Sequence, residues 1–149
     1  RQVKKNTVAT GCCFAEVEVD MRLGKIKVLD IVNVHDSGVL LNPQLAAMQV
    51  HGGMSMGMGC GLSEQLLLDG TLLDYKLMTT MDTPDLTAEF VELNDPMGPY
   101  GNKALGEPPA IPGAPAIRNA VLHATGIGFA EIPLTPQRLI DGFTKAGLI

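Results

Sequence analysis

Glu107 is the only acid in the 22 residues from Pro96 to Ile117, and it stands in "GNKALGEPPAIPGAPAIRNAV" between a glycine and two prolines. Proline at 108 biases Glu107 toward extended backbone, and Pro109 does the same to Pro108, so the direction of the carboxylate is largely preset. Gly106 leaves room beside it for something large. A carboxylate fixed in this way suits proton abstraction, provided an acidic proton comes within hydrogen-bond reach. A surface glutamate on a proline-rich turn has the same signature, so the residues alone leave both roles open.

A second unusual stretch lies upstream. "NPQLAAMQVHGGMSMGMGCGLSEQLLL" predicts a helix capped by Asn42 with Pro43 at its first position. Gly52, Gly53, Gly57, Gly59 and Gly61 each weaken a helix by roughly 1 kcal/mol relative to alanine, so something must compensate. Gln49, Gly53, Gly57 and Gly61 recur every four residues and form one stripe. A stripe without side chains admits either another backbone or a flat ligand. Met48, Met54, Met56 and Met58 are expected as adaptable core filling, and Glu64 as a solvated helix residue. No residue from Ser37 to Ser63 is charged, which is long enough to cross a bilayer. The polar residues and glycines within it, and the lack of flanking basic clusters, favour a buried helix.

Other chemistries find little support. There is no phosphate loop, dinucleotide fingerprint, H-E-x-x-H or G-x-S-x-G. The three histidines are far apart, so no metal held by protein ligands is expected. Net charge is −5, with basic residues clustered only at Arg1, Lys4 and Lys5, which argues against a nucleic-acid partner. Cys12, Cys13 and Cys60 are odd in number and spaced for neither a disulfide framework nor a zinc knuckle, so a reducing, cytoplasmic setting is expected.

The elements that must position these residues are mixed. "FAEVEVD" and "KIKVLDIVNV" predict two strands joined by a short loop, with Val17, Val19, Ile26 and Val28 inward. Cys12 and Cys13 are expected as small core residues, "HDSG" as a turn, and His35 as a satisfied structural histidine. "GTLLD" predicts a turn and short strand, "KLMTTMDTPDL" an extended segment and "AEFVELND" a further strand. "APAIRNAVLHATG" predicts a helix burying Ile117, Val121 and Leu122, with Gly126 as its stop and Arg118 and His123 in surface or packing roles. "LTPQRLIDGFTKAG" predicts another, with Thr135 as cap and Leu139, Ile140 and Phe143 on one face. Strands and helices without a regular βαβ rhythm favour an α+β fold, a mixed sheet with hairpin strands and packed helices. At 149 residues, 46% hydrophobic and 18% charged, this is about one ordered domain. Its low surface charge and its start at Arg1, with neither initiator methionine nor signal-like core, predict a piece of a longer polypeptide.

"GNKALGEPPAIPGAPAIRNAV" resembles the catalytic-glutamate motif of the xanthine dehydrogenase/aldehyde oxidase family, the molybdenum hydroxylases. "NVHDSGVLLNPQLAAMQVHGGMSMGMG" is similar to that family's upstream glycine-rich segment, and "LTPQRL" resembles its end. The resemblance runs from about Thr10 to Phe143. It implies residues 10–149 as the C-terminal portion of a molybdopterin-binding domain, with residues 1–9 an extension. It implies Glu107 as general base in a hydroxylation with water-derived oxygen, and Gln49, Leu105 and Gly106 beside the molybdenum–molybdopterin cofactor. The cofactor then becomes a candidate neighbour for the glycine stripe. FAD and [2Fe-2S] clusters are implied on other subunits or domains. The implied partners are the upstream part of the same subunit and FAD-binding and iron–sulfur subunits, in an oligomeric complex. A purine, hypoxanthine or xanthine, is the first expectation for substrate, with an aldehyde or another N-heterocycle as alternative. Half a site on one fragment implies that the isolated chain is inactive. A non-catalytic domain whose glycine stripe serves subunit packing is the competing class.

Overall fold

The computed structural model describes residues 7–149, so Arg1, Lys4, Lys5 and most of the expected extension 1–9 lie outside the described residues. β1 (Thr10–Asp20) and β2 (Lys25–Asp36) pair antiparallel across a turn in which Gly24 takes a φ of 60°. Cys13, Ala15, Val17 and Val19 of β1 face the core in alternation. Opposite them the register slips: Glu16 pairs with Asp30 and Val17 with Val28, leaving Leu29 as an extra residue on β2. Because side chains alternate with period two, that bulge reverses the phase of everything beyond it. Ile26 and Val28 face the core before the bulge, and Ile31, Asn33 and His35 are buried after it.

β3 (Leu86–Phe90) lies parallel to β2, which makes the sheet mixed, as expected, with order β1-β2-β3. The strand expected over "AEFVELND" is shorter at its end because β2 ends at Asp36. His35 pairs with Phe90, and the Val91 amide donates the closing bond to the His35 carbonyl at 2.8 Å. "GTLLD" holds no strand. Asp74 accepts from both the amide and the hydroxyl of Thr71 at 3.0 Å, closing a turn instead. The expected extended segment is likewise turned where Asp82 accepts from the Thr79 amide at 3.0 Å.

α1 (Pro43–Leu62) crosses from β2 to β3, and the Asn42 side chain accepts from the Leu45 amide at 3.0 Å as its cap. Val50, Met54 and Met58 pack with Ile31 and with Ile117 of α2 (Gly113–Thr125). α3 (Pro136–Lys145) carries Leu139 and Phe143 into a second cluster with Val121 and Leu134, where Phe129 meets Phe143 edge-on at 5.8 Å. Gly126 caps α2 at φ 75°, and Arg118 donates to the Phe129 carbonyl at 2.8 Å, the packing role expected of it. Met48 and Met56 are not core filling, being 60% and 54% exposed on the outer face of α1. Cys12 is exposed as well, because it points to the opposite face of β1 from Cys13. Burial, with Cys12 beside it, raises the half-buried Cys13 thiol to about 11, so it stays protonated at neutral pH. Glu64 lies past the helix end, where its carboxylate accepts from the Tyr75 hydroxyl at 2.6 Å.

The glycine stripe is occupied by this chain's own backbone, not by a ligand. A Cβ on Gly53 would lie 2.8 Å from the Pro109 carbonyl carbon and 2.9 Å from the Ala110 nitrogen. One on Gly57 would lie 3.0 Å from the Gly113 Cα, and one on Gly61 3.3 Å from the Ala114 Cα. Helix α1 and the segment leading into α2 touch backbone to backbone, and that contact is what the glycines' helical cost serves. Neighbouring Gly52 differs, since a Cβ there meets nothing within 4 Å. Gly53→Ala is therefore expected to destabilise the intact subunit by about 1–3 kcal/mol through overpacking. Gly52→Ala leaves this packing untouched, and paired thermal melts of the two variants read the difference.

Candidate functional site

Packing of α1 against residues 109–114 carries the Glu107 segment to the exposed side of the helix. Pro109 is buried, whereas Gly106 and Glu107 are exposed. A Cβ on Gly106 would meet nothing within 4 Å, so space is open immediately before the carboxylate. Gln49, also exposed, donates its side-chain amide to the Gly106 carbonyl at 2.6 Å across 57 residues of sequence. Leu105 packs against the core and lines a hollow of about 260 Å³ together with Ser37, Leu45, Gln49 and Lys103. Gln49 is thus brought by the fold beside the contiguous Leu105, Gly106 and Glu107.

The segment is anchored on both sides. Ahead of Glu107, Lys103 forms an ion pair with Asp36, the side chains being 10% and 9% exposed, and its amide donates to the Ser37 carbonyl at 2.7 Å. Asp36 also accepts from the Gly38 amide at 3.0 Å. Of the turn expected over "HDSG" only Ser37 and Gly38, the latter at φ 68°, leave the strand, His35 and Asp36 being the last residues of β2. Lys103's hydrogen bond, above all, holds the Asp36 carboxyl below its ordinary value against the opposing effect of burial. Behind Glu107, the buried Asn33 donates from Nδ2 to the Pro109 carbonyl at 3.0 Å, and the Ala110 amide donates to the Glu107 carbonyl at 2.9 Å. His35 is structural, yet neither ring nitrogen has a partner among the described residues, contrary to the satisfied histidine expected. Burial lowers its pKa and keeps it neutral.

Sequence reasoning missed Asn33 and the Asp36–Lys103 pair. Lys103 is the only basic residue between Pro96 and Ile117, a signal that could have been used. Asn33 offered none, because its inward direction depends on the bulge.

Around this point α1 exposes Leu45, Met48, Gln49, Gly52 and Met56, an apolar face interrupted by one carboxamide and one bare glycine. Among the described residues no group of three or more histidines, cysteines or acids is placed to hold a metal ion. A donor set of one carboxylate and one carboxamide, beside open space at Gly52 and Gly106, fits a large cofactor that brings its own metal ligands.

Comparison with known proteins agrees. A family described as the molybdopterin cofactor-binding domain matches residues 1–84. The chain is 51% identical over 152 aligned residues to the putative xanthine dehydrogenase molybdenum-binding subunit of Escherichia coli, covering 97% of this chain and 20% of that protein. It is 35% identical to the aldehyde oxidoreductase molybdenum-binding subunit of the same organism, over 86% of this chain and 19% of that protein. Among solved structures, the aldehyde oxidoreductase of Desulfovibrio gigas superposes with a TM-score of 0.86 at 31% identity, over 91% of this chain and 15% of that one. Reconstituted CO dehydrogenase from Oligotropha carboxidovorans gives 0.87 at 25% identity, over 94% and 19%. The chain spans about a fifth of the length of the curated relatives it matches. A family match over more than half of the chain, close identity to molybdenum-binding subunits and a fold shared with a solved aldehyde oxidoreductase together show that the chain belongs to the molybdenum hydroxylase family.

Proposed function

We propose that residues 10–149 form the C-terminal portion of the molybdopterin-binding domain of a purine hydroxylase of the xanthine dehydrogenase type, with Glu107 as its general base. The observation that carries this reading is the 2.6 Å bond from Gln49 to the Gly106 carbonyl, which places the peptide bearing Glu107 on the open, apolar face of α1. What the molybdopterin group supplies when bound is the two-electron oxidant of the hydroxylation. Glu107 accepts a proton from the oxygen nucleophile at its carboxylate, which requires that it be ionised and fixed in direction. Pro108 and the Gln49 bond provide that fixing. Leu105 lines the adjoining hollow, Gly106 leaves space open before the carboxylate, and Leu45 and Met48 offer an apolar wall that limits water. Electrons leave through FAD and iron–sulfur centres on partner subunits, and the three free cysteines suit a cytoplasmic setting.

The purine reading rests on the higher identity to the xanthine dehydrogenase subunit. The similarity to aldehyde oxidoreductases supports an aldehyde as the second reading. The glycine stripe, filled from within the chain, argues against a domain that uses that stripe to bind another subunit. The test is metal analysis of the assembled complex followed by steady-state assays with hypoxanthine, xanthine, nicotinate and an aromatic aldehyde. Molybdenum should be present, and kcat/KM for a purine should exceed that for the aldehyde by at least about tenfold. Absence of molybdenum would remove the whole reading, and a reversed preference would replace the substrate alone.

A further inference from the structure

We infer that Asn33 is a positioning residue for Glu107, the second of two carboxamides that bracket it. The inference rests on the general-base reading of Glu107 and adds to it the device that aims the side chain from within the core.

Residues 106–109 are Gly-Glu-Pro-Pro, and neither proline has an amide hydrogen. From residue 107 to residue 110 the backbone can therefore offer few donors, and its docking must come through carbonyls that accept. Carbonyls need donors, and the fold supplies them as side-chain amides. Gln49 of α1 donates to Gly106 at 2.6 Å, one residue before Glu107. Asn33 of β2 donates to Pro109 at 3.0 Å, two residues after it. One clamp is at the exposed surface and the other is wholly buried.

The cost of the buried clamp shows that it is not incidental. Asparagine is disfavoured in strands, and Asn33 lies one strand position pair beyond Ile31, a residue at the centre of the apolar core. Its Oδ1 has no partner among the described residues. A valine or leucine would avoid that penalty, since a buried polar atom left unpaired is destabilising. What asparagine provides in return is the Nδ2 bond that fixes the Pro109 carbonyl. Pro109 is also the residue against which Gly53 packs, so the same carbonyl carbon is held from the helix side. With both flanks of a two-proline segment fixed, the Glu107 backbone has little freedom to tilt.

The test uses the intact enzyme complex with Asn33→Leu and Asn33→Ser, each alone and combined with Glu107→Gln. Misplacement of a reacting group by about 1 Å costs on the order of 10²-fold, so Asn33→Leu should lower kcat per bound molybdenum by about 10- to 100-fold with KM little changed. In the Glu107→Gln background the same substitution should have almost no further effect, because both act through one group. Independently of activity, hydrogen exchange at the Ala110 amide, which bonds the Glu107 carbonyl, should quicken in Asn33→Leu while exchange in β1 and the middle of α1 stays constant. If Asn33→Leu does not fold, Asn33→Ser, smaller and less hydrophobic, carries the same comparisons. Equal losses from the Asn33 variants in both backgrounds, or unaltered exchange around Glu107, would overturn the inference and leave the general base standing. Parental turnover in Glu107→Gln would instead remove the general base, and with it this role for Asn33.

Discussion

Glu107→Gln in the assembled enzyme is expected to lower turnover by about 10²–10⁴-fold while molybdenum content and thermal midpoint remain those of the parent. The range is what a positioned general base ordinarily contributes. Retention of the fold follows from the side chain's place. Glu107 is exposed, and its backbone carbonyl, not its carboxylate, makes the turn bond to Ala110. Glutamine keeps the shape and the extended bias imposed by Pro108, so the loop stays where Gln49 and Asn33 hold it. Only the ability to accept a proton is lost. Rate per bound molybdenum, measured beside the melting curve, checks the expectation. Parental turnover in a variant of normal metal content would show that this carboxylate is not the base.

Lys103→Met has the largest expected effect on stability. Asp36 and Lys103 are about nine-tenths buried, and removing one partner of a buried pair strands the other charge at a cost on the order of 3–5 kcal/mol. The loss should concentrate where β2 meets the segment entering Leu105, because Lys103 also ties its amide to the Ser37 carbonyl. Acid should act on the same joint. The Asp36 carboxyl is held below its ordinary value, mainly by the Lys103 hydrogen bond. A carboxyl depressed on folding contributes fully above the unfolded value and loses its contribution as pH falls through the folded one. His35 adds an earlier step. Burial depresses it below 6.5, so the unfolded chain binds its proton first and stability declines as pH drops from about that value. A pH series of melts should therefore show one decline starting near the ordinary histidine value of about 6.5 and another in the carboxylate range. The second should be smaller in Lys103→Met, where only the Thr71- and Thr79-held carboxyls of Asp74 and Asp82 still contribute. A second decline of equal size in that variant would mean that the pair does not govern acid stability.

Much of the fold was legible because it depends on local periodicity. The alternation in "FAEVEVD" placed Val17 and Val19 correctly, and Asn42, Thr135 and Gly126 marked helix ends through side-chain capping and a left-handed φ. Those signals act within one turn or one strand pair, so a linear reading captures them. The four-residue repeat of Gly53, Gly57 and Gly61 announced a close approach, but the identity of the neighbour did not follow. Either a backbone or a cofactor satisfies the absence of a side chain, and the choice went to Pro109 through Ala114. Met48 and Met56 failed for a related reason. A helix that is apolar all round has no polar face to show which side turns outward.

The candidate site divides along the same line. Residue types and stiff local backbone were enough to single out Glu107 with its proline-set direction, and resemblance to a known family added Gln49, Leu105 and Gly106. That Gln49 reaches the Gly106 carbonyl, that Asn33 reaches Pro109, and that Asp36 meets Lys103 required the folded chain. The physical reason lies in one residue of β2. Leu29, the extra residue opposite β1, reverses the alternation of the strand, and by that shift Asn33 enters the core. Periodicity read along a chain cannot register such a slip, because a bulge is a relation between two strands and exists only once they have paired.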